Sequence, residues 1–199
     1  MNFIENYKSN IAKSKAYEVK ILPTDIASEL WLITGKKIYP EFVMDENAKK
    51  IGAALAAQTI KGSLILGSKG IGKTLALQIF YNILSAWSPS NVIYKNVRQI
   101  QLDYKREGLA SFERLIVIDH LILDDCGTED SEFSDYGNKK NLIAELLLLR
   151  YDEFQMRGRR TYLTTNLDKK TLQLWYGERL MDRFNEMFNF IVVTGESKR

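Results

Sequence analysis

Short apolar runs alternate along this chain with longer amphipathic stretches, and turn-forming residues separate most of them. Leu64-Ile65-Leu66, Val92-Ile93-Tyr94, Leu121-Ile122-Leu123, Thr161–Asn166 and Phe190-Ile191-Val192-Val193 have the length and residue types of strands. Between them lie helical patterns: Leu75 to about Trp87, broken by Ser88-Pro89-Ser90; residues 98–114; Asn141–Met156, stopped by Gly158; and Thr171–Met187. The third is apolar on most sides, which predicts a helix buried between the sheet and another layer. Residues 127–140 are polar and read as an exposed loop. Strands alternating with helices predict an α/β fold, a parallel sheet covered on both faces.

The first sixty residues carry a weaker pattern. Residues 1–20 are lysine-rich without a period and read as an arm. Thr24 can cap a short helix with Ile26, Leu30 and Ile33 on one face and Gly35 as its stop, and Lys36–Pro40 then connects. Asp45 caps a second helix, with Ala48, Ile51 and Leu55 aligned, ending near Gly62.

Composition narrows the classes. A chain of 199 residues with 45% hydrophobic and 27% charged residues suits a soluble globular protein of essentially one domain. The net charge of +3 permits a nucleic-acid partner without arguing for one. One Cys and one His exclude an intramolecular disulfide and a Cys/His zinc site. No apolar run is long enough to span a bilayer, and the first residues lack the apolar core of a secretion signal. The expected location is the cytoplasm, with no membrane partner.

The strand at Leu64 runs into Gly67-Ser68-Lys69-Gly70-Ile71-Gly72-Lys73-Thr74, and Leu75 opens the following helix. This is the spacing of a phosphate-binding loop, in the strand-to-helix context the chemistry needs. Glycines let the backbone N–H groups face a polyphosphate, and the helix N-terminus adds positive potential. Lys73 would reach the β- and γ-phosphates, and the Thr74 hydroxyl would take a Mg²⁺ site. Asp124 and Asp125 end an apolar strand, at the edge where α/β sheets bind ligands. One carboxylate would hold Mg²⁺, through water, opposite Thr74 and the next would polarise the attacking water; by itself, such a pair also suits a plain turn. The expected geometry is a triphosphate and its Mg²⁺ bridging the glycine cradle and the acids on adjacent strand tips.

Asn166 ends a further strand, where its amide could hold water or the γ-phosphate, or simply form a turn before Leu167-Asp168. Arg179 and Arg183 share a helix face; they suit either a charge offered to a neighbouring subunit's phosphates or a solvated pair beside Glu178, Asp182 and Glu186. The guanine-reading Asn-Lys-x-Asp pattern is missing, which argues against a GTPase.

Gly67–Thr74, Leu121–Gly127, Thr164-Thr165-Asn166-Leu167, Tyr176–Phe184 and the terminal Gly195-Glu196-Ser197-Lys198-Arg199 together resemble the DnaC/IstB branch of the AAA+ ATPases, over roughly residues 60–199. The resemblance implies a P-loop NTPase three-layer sandwich with a five-stranded parallel sheet and little or no helical lid. It implies ATP/ADP and Mg²⁺ as cofactors, Asp124 as metal residue, Asp125 as water-polarising acid and Asn166 as sensor. Arg183 would be the arginine finger, Arg179 its companion, and Arg199 a further phosphate contact. The implied partners are a replicative helicase or, as in the IstB-like helpers, a transposase; single-stranded DNA; and further copies in an ATP-dependent head-to-tail assembly. A nucleotide-responsive adaptor with negligible turnover is the alternative from another class. Two basic groups could follow a DNA strand: Lys95, Arg98, Lys105 and Arg106 with Tyr94 and Tyr104, and Arg157, Arg159 and Arg160. Residues 1–44 would form an arm and short helix, a candidate partner-binding segment, and residues 45–199 the ATPase core.

Overall fold

The computed structural model describes residues 27–56, 60–87, 91–130, 133–135 and 138–197. The element order is α1 (Ala27–Ile38), α2 (Glu46–Ala56), β1 (Gly62–Leu66), α3 (Lys73–Trp87), β2 (Val92–Asn96), α4 (Val97–Glu107), α5 (Leu109–Val117) and β3 (His120–Cys126). A small hairpin follows, β4 (Phe133–Asp135) with β5 (Asn138–Lys140), then α6 (Leu142–Arg157), β6 (Arg160–Thr165), α7 (Lys169–Tyr176), α8 (Glu178–Met187) and β7 (Phe188–Val192). The arm, Thr24, Ile26, the Ser88-Pro89-Ser90 break and the terminal Lys198-Arg199 lie outside the described residues.

Five strands form one sheet in the order β2-β3-β6-β1-β7. All four pairings are parallel. Successive side chains on a strand face opposite ways, and β3 shows the result. Leu121 and Leu123 join the core under α4 to α8, whereas Ile122 joins the core under α1 to α3. The expected three-layer α/β sandwich is therefore present. Residues 193–197, the described part after β7, contain no helix. Among the described residues, no helix is long and apolar enough to cross a membrane.

The first helix departs from its predicted form. Gly35 does not stop α1, which continues to Ile38. A Cβ at Gly35 would stand 2.3 Å from the Phe42 ring, so this glycine seats an aromatic side chain. Trp31, 2% exposed, faces the core and stands 6.4 Å from Phe80, whereas Ile33 is 56% exposed. The second helix follows expectation at its start: Asp45 accepts the Ala48 N–H at 2.8 Å, and Ala48, Ile51 and Leu55 are buried. It ends at Ala56, and Gly62 instead opens β1, where a Cβ would collide with the Thr161 carbonyl oxygen. Residues 127–140 are not wholly an exposed loop, because they contain the hairpin and the buried Glu129.

Helix α6 begins on the Asn141 cap and ends at Gly158, which takes the left-handed conformation. Its buried face carries charge as well as leucines. The Arg150 guanidinium is fully buried and donates to the Leu115, Ile116, Ile118 and Arg160 carbonyls and to Thr161 Oγ1. It thereby closes the end of α5 against the starts of β3 and β6. Glu153, also fully buried, pairs with Arg157 at 2.7 Å and with Arg159. Arg160 donates to the Ile60 carbonyl at 3.1 Å. The proposed DNA-tracking group of Arg157, Arg159 and Arg160 is therefore a structural cluster. Buried Arg160 is bonded, as a buried cation must be, and the half-buried Arg157 and Arg159 are both paired with Glu153.

Candidate nucleotide site

The carboxyl ends of β1, β6 and β3 converge on one side of the sheet. β1 delivers the glycine loop. Gly70 and Gly72 have φ of 85° and 95°, a region L-residues avoid. α3 starts at Lys73, directing its first N–H groups towards the loop. Ser68 and Lys69 are exposed on the loop's crest, and Ile71 is 1% exposed beneath it. Thr194–Ser197 passes over the loop. A Cβ on Gly70 would meet Ser197 Oγ at 2.1 Å, and Asn47 Nδ2 donates to the Thr194 carbonyl at 2.9 Å. Arg199, next along, lies outside the described residues.

Lys73 is 5% exposed and its ammonium is satisfied within the loop. It donates to the Gly67 carbonyl at 2.6 Å, the Ser68 carbonyl at 2.7 Å and Asn166 Oδ1 at 2.8 Å. The last bond brings the tip of β6 onto the loop, so Asn166 is at the site.

The expectation that cradle and acids occupy adjacent strands needs correction. β6 lies between β1 and β3. Its Thr164, fully buried, bridges the gap: the hydroxyl donates to Asp124 Oδ1 and accepts the Asp125 N–H at 3.0 Å. Asp124 still reaches across, since Thr74 Oγ1 donates to Asp124 Oδ1 at 3.3 Å. Tyr94, from the edge strand β2, donates its hydroxyl to Asp124 Oδ2 at 2.7 Å. Burial and then the Asp124 charge push the Tyr94 phenol far above its ordinary range, so it remains a donor. The sequence offers Tyr94 as one of several side chains that could follow a DNA strand, and the structure instead bonds its hydroxyl to Asp124. Thr164 and Tyr94 are side chains at the candidate site that the pattern does not mark; a hydroxyl residue near a strand's carboxyl end, beside an acid-bearing strand, is the available signal.

Asp125 follows a break in register. Leu123 pairs with Leu163 but Cys126 with Thr165, so β3 carries one extra residue opposite Thr164. Asp125 absorbs it with φ of 60°, the only non-glycine residue of positive φ among the described residues. Aspartate tolerates this conformation better than most residues. In a regular strand, Asp124 and Asp125 would face opposite sides of the sheet. The bulge re-aims the second acid, whose carboxylate stands 3.5 Å from Asn96 Nδ2.

The donor set suits Mg²⁺. Two cis ligands of an octahedral ion, each at about 2.1 Å, lie about 3 Å apart, close to the Thr74–Asp124 separation of 3.3 Å. Among the described residues no cluster of three or more His, Cys, Asp or Glu forms a metal cage. A site completed by phosphate and water needs no such cage. Beside the loop, a cavity of about 260 Å³ is walled by Phe42, Val43, Ile71 and Leu75 among others.

The fold is similar to that of several solved structures. The DnaC helicase loader superposes with a TM-score of 0.54 at 19% identity, over 95% of this chain and 98% of that one. The fold is that of the DnaC-like AAA+ proteins. DnaI gives a TM-score of 0.55 at 18% identity, covering 95% of this chain and 89% of its own. The replication initiator DnaA bound to AMPPCP and single-stranded DNA gives 0.57 at 18%, over 79% of this chain and 49% of that chain. The sequence matches no protein-family model and no curated protein sequence.

Arg179 and Arg183 both lie on α8. Arg183 Nη1 donates to the Arg179 carbonyl at 3.0 Å, and its guanidinium lies 5.1 Å from the Tyr151 ring centre. Glu186 is engaged by Tyr151 and Gln155 and not by either arginine. In the first basic group, Lys95 pairs with Asp103 at 2.7 Å, Arg98 donates to the Thr128 carbonyl, and Tyr104 packs against Phe112. Arg98, Lys105 and Arg106 keep exposed positions on α4.

One prediction tests how the acids are held. Thr164→Val removes a hydroxyl and leaves a similar shape. The Asp125 N–H and the Asp124 carboxylate would each lose a buried partner, lowering stability by about 1–3 kcal/mol in urea unfolding. An unchanged unfolding midpoint would remove Thr164 as the brace.

Proposed function

We propose that this protein binds and hydrolyses MgATP and acts in DNA replication as a DnaC-type helicase loader on single-stranded DNA. The observation that carries the reading is the Thr74–Asp124 hydrogen bond, which joins the phosphate loop to an acid across an intervening strand. Lys73 would exchange its bonds to the Gly67 and Ser68 carbonyls for the β- and γ-phosphates. Mg²⁺, held by Thr74 and Asp124, would neutralise charge on the phosphates. Asp125 would orient and polarise the attacking water, and Asn166, already bonded to Lys73, would hold the γ-phosphate side. The base would enter the adjoining cavity against Leu75. Arg183, with Arg179 beside it, would complete the site of the next protomer in a head-to-tail assembly. Support comes from the DnaC-like fold and from DnaA, which has been captured with AMPPCP and single-stranded DNA.

The test measures assembly on an oligo-dT strand with MgATP, MgADP or no nucleotide, with phosphate release followed in parallel. MgATP should drive assembly and MgADP should not, and strand binding should fall steeply with salt. Nucleotide binding with neither assembly nor phosphate release would sink the loader reading and leave an adaptor. Pull-down of a replicative helicase, and not a transposase, separates the loader from a transposition helper.

A further inference from the structure

The turn carrying Asp125 is gripped by a carboxylate that the nucleotide site does not use. Glu129 is 2% exposed. Its Oε2 accepts the Gly127 N–H at 2.7 Å, and its Oε1 accepts the Trp175 indole N–H at 3.1 Å and the Tyr176 hydroxyl. The turn needs such support, because Asp125 and Gly127 both have positive φ, 60° and 87°. Gly127 also abuts Leu167, which a Cβ there would meet at 2.4 Å.

The donors on the far side sit at a joint. Trp175 and Tyr176 are the last residues of α7; Gly177 follows with φ of 84°, and α8 with Arg179 and Arg183 begins at Glu178. The Tyr176 ring meets Phe184, the neighbour of Arg183, edge-on at 5.9 Å. Burial and the nearby acidic groups hold the Tyr176 phenol well above its ordinary range, so its proton stays available to Glu129. One buried carboxylate thus fastens the turn of the second acid to the joint of the arginine-bearing helices.

We propose that Glu129 is a positioning residue that ties the Asp125 turn to the α7–α8 joint, so that a protomer's own water-polarising acid and its arginines move together. The roles of Asp125 and Arg183 in this statement rest on the function proposed above. A displacement of α7 would pull on the Gly127 amide, two residues from Asp125, through the bonds that the Glu129 carboxylate makes to both. A purely structural Glu129 would stabilise the fold without linking the two.

The full-length protein with Glu129→Gln, Trp175→Phe or Tyr176→Phe tests this; the last two each remove one donor and keep the ring. In amide NMR spectra of the nucleotide-free protein, Trp175→Phe should move the Gly127 resonance further in the Glu129 protein than in a Glu129→Gln background, a difference that cancels the direct ring-current effect common to both. With MgATP, kcat should fall about tenfold while KM stays within about twofold, short of the hundredfold that a misplacement of about 1 Å can cause. An equal Gly127 shift in the two backgrounds, or kcat unchanged in the folded Trp175→Phe and Tyr176→Phe proteins, overturns the proposal. If wild-type protein releases no phosphate, the enzymatic reading fails separately. MgATP should then still shift the Trp175 indole resonance in wild type and not in Glu129→Gln, and an unmoved wild-type indole overturns the link. If ATP does not bind at all, the Gly127 resonance alone decides.

Discussion

Lys73→Ala is expected to abolish measurable ATP binding. Among the described residues, the Lys73 ammonium is the cation bonded inside the loop, to the Gly67 and Ser68 carbonyls, and it also donates to Asn166. Truncating one partner of a desolvated charge pair costs about 3 kcal/mol, or about a hundredfold in affinity. A second loss adds to the first, since the same side chain braces the empty cradle and ties it to the β6 tip. Isothermal titration with MgATP and MgADP checks this, and affinity within threefold of wild type would count decisively against phosphate binding at this loop. Lys73→Met keeps the stem's packing while removing every bond the ammonium makes, so it should lose binding as Lys73→Ala does.

Arg183→Ala is expected to leave ATP affinity unchanged while removing hydrolysis in the assembled protein. A guanidinium offered across an interface to the transferring phosphoryl group is worth about a thousandfold or more in turnover. The geometry on α8 fits an outward role, because Arg183 lies over Tyr151 and bonds Arg179, with no bond to its own loop. Mixing experiments give the sharper result. Lys73→Ala protomers, which cannot bind ATP, still carry Arg183 and should restore turnover to Arg183→Ala protomers that bind ATP. Absence of that rescue, with both proteins assembling, would remove the trans assignment. Normal turnover by Arg183→Ala alone would do the same.

Much of the fold was legible because strong local signals agreed. The five apolar runs became the five strands of the sheet, and Asp45, Asn141 and Gly158 marked helix ends where predicted. The phosphate loop was legible for the same reason: glycines, lysine and threonine stand at fixed offsets between a strand and a helix. What escaped depends on packing between distant segments. Gly35 resembles a helix stop locally, yet Phe42 determines its use. Arg157, Arg159 and Arg160 look like a basic patch until Glu153 and the Ile60 carbonyl are seen beneath them. Strand order is likewise a long-range property, so nothing local announced that β6 separates the loop from the acids or that Thr164 spans the gap. The bulge at Asp125 had only a faint mark, an aspartate followed closely by a glycine.

The buried Arg150 has a consequence for where this molecule can change shape. At the amino ends of β3 and β6, a guanidinium locks the backbone through many donors at once, and no single bond can yield independently. At the opposite rim, the equivalent connections are individual hydroxyls, amides and one ammonium, each able to swap its acceptor for an incoming oxygen. Any rearrangement on nucleotide binding is thus expected at one end of the sheet, with the end held by Arg150 as the stationary frame.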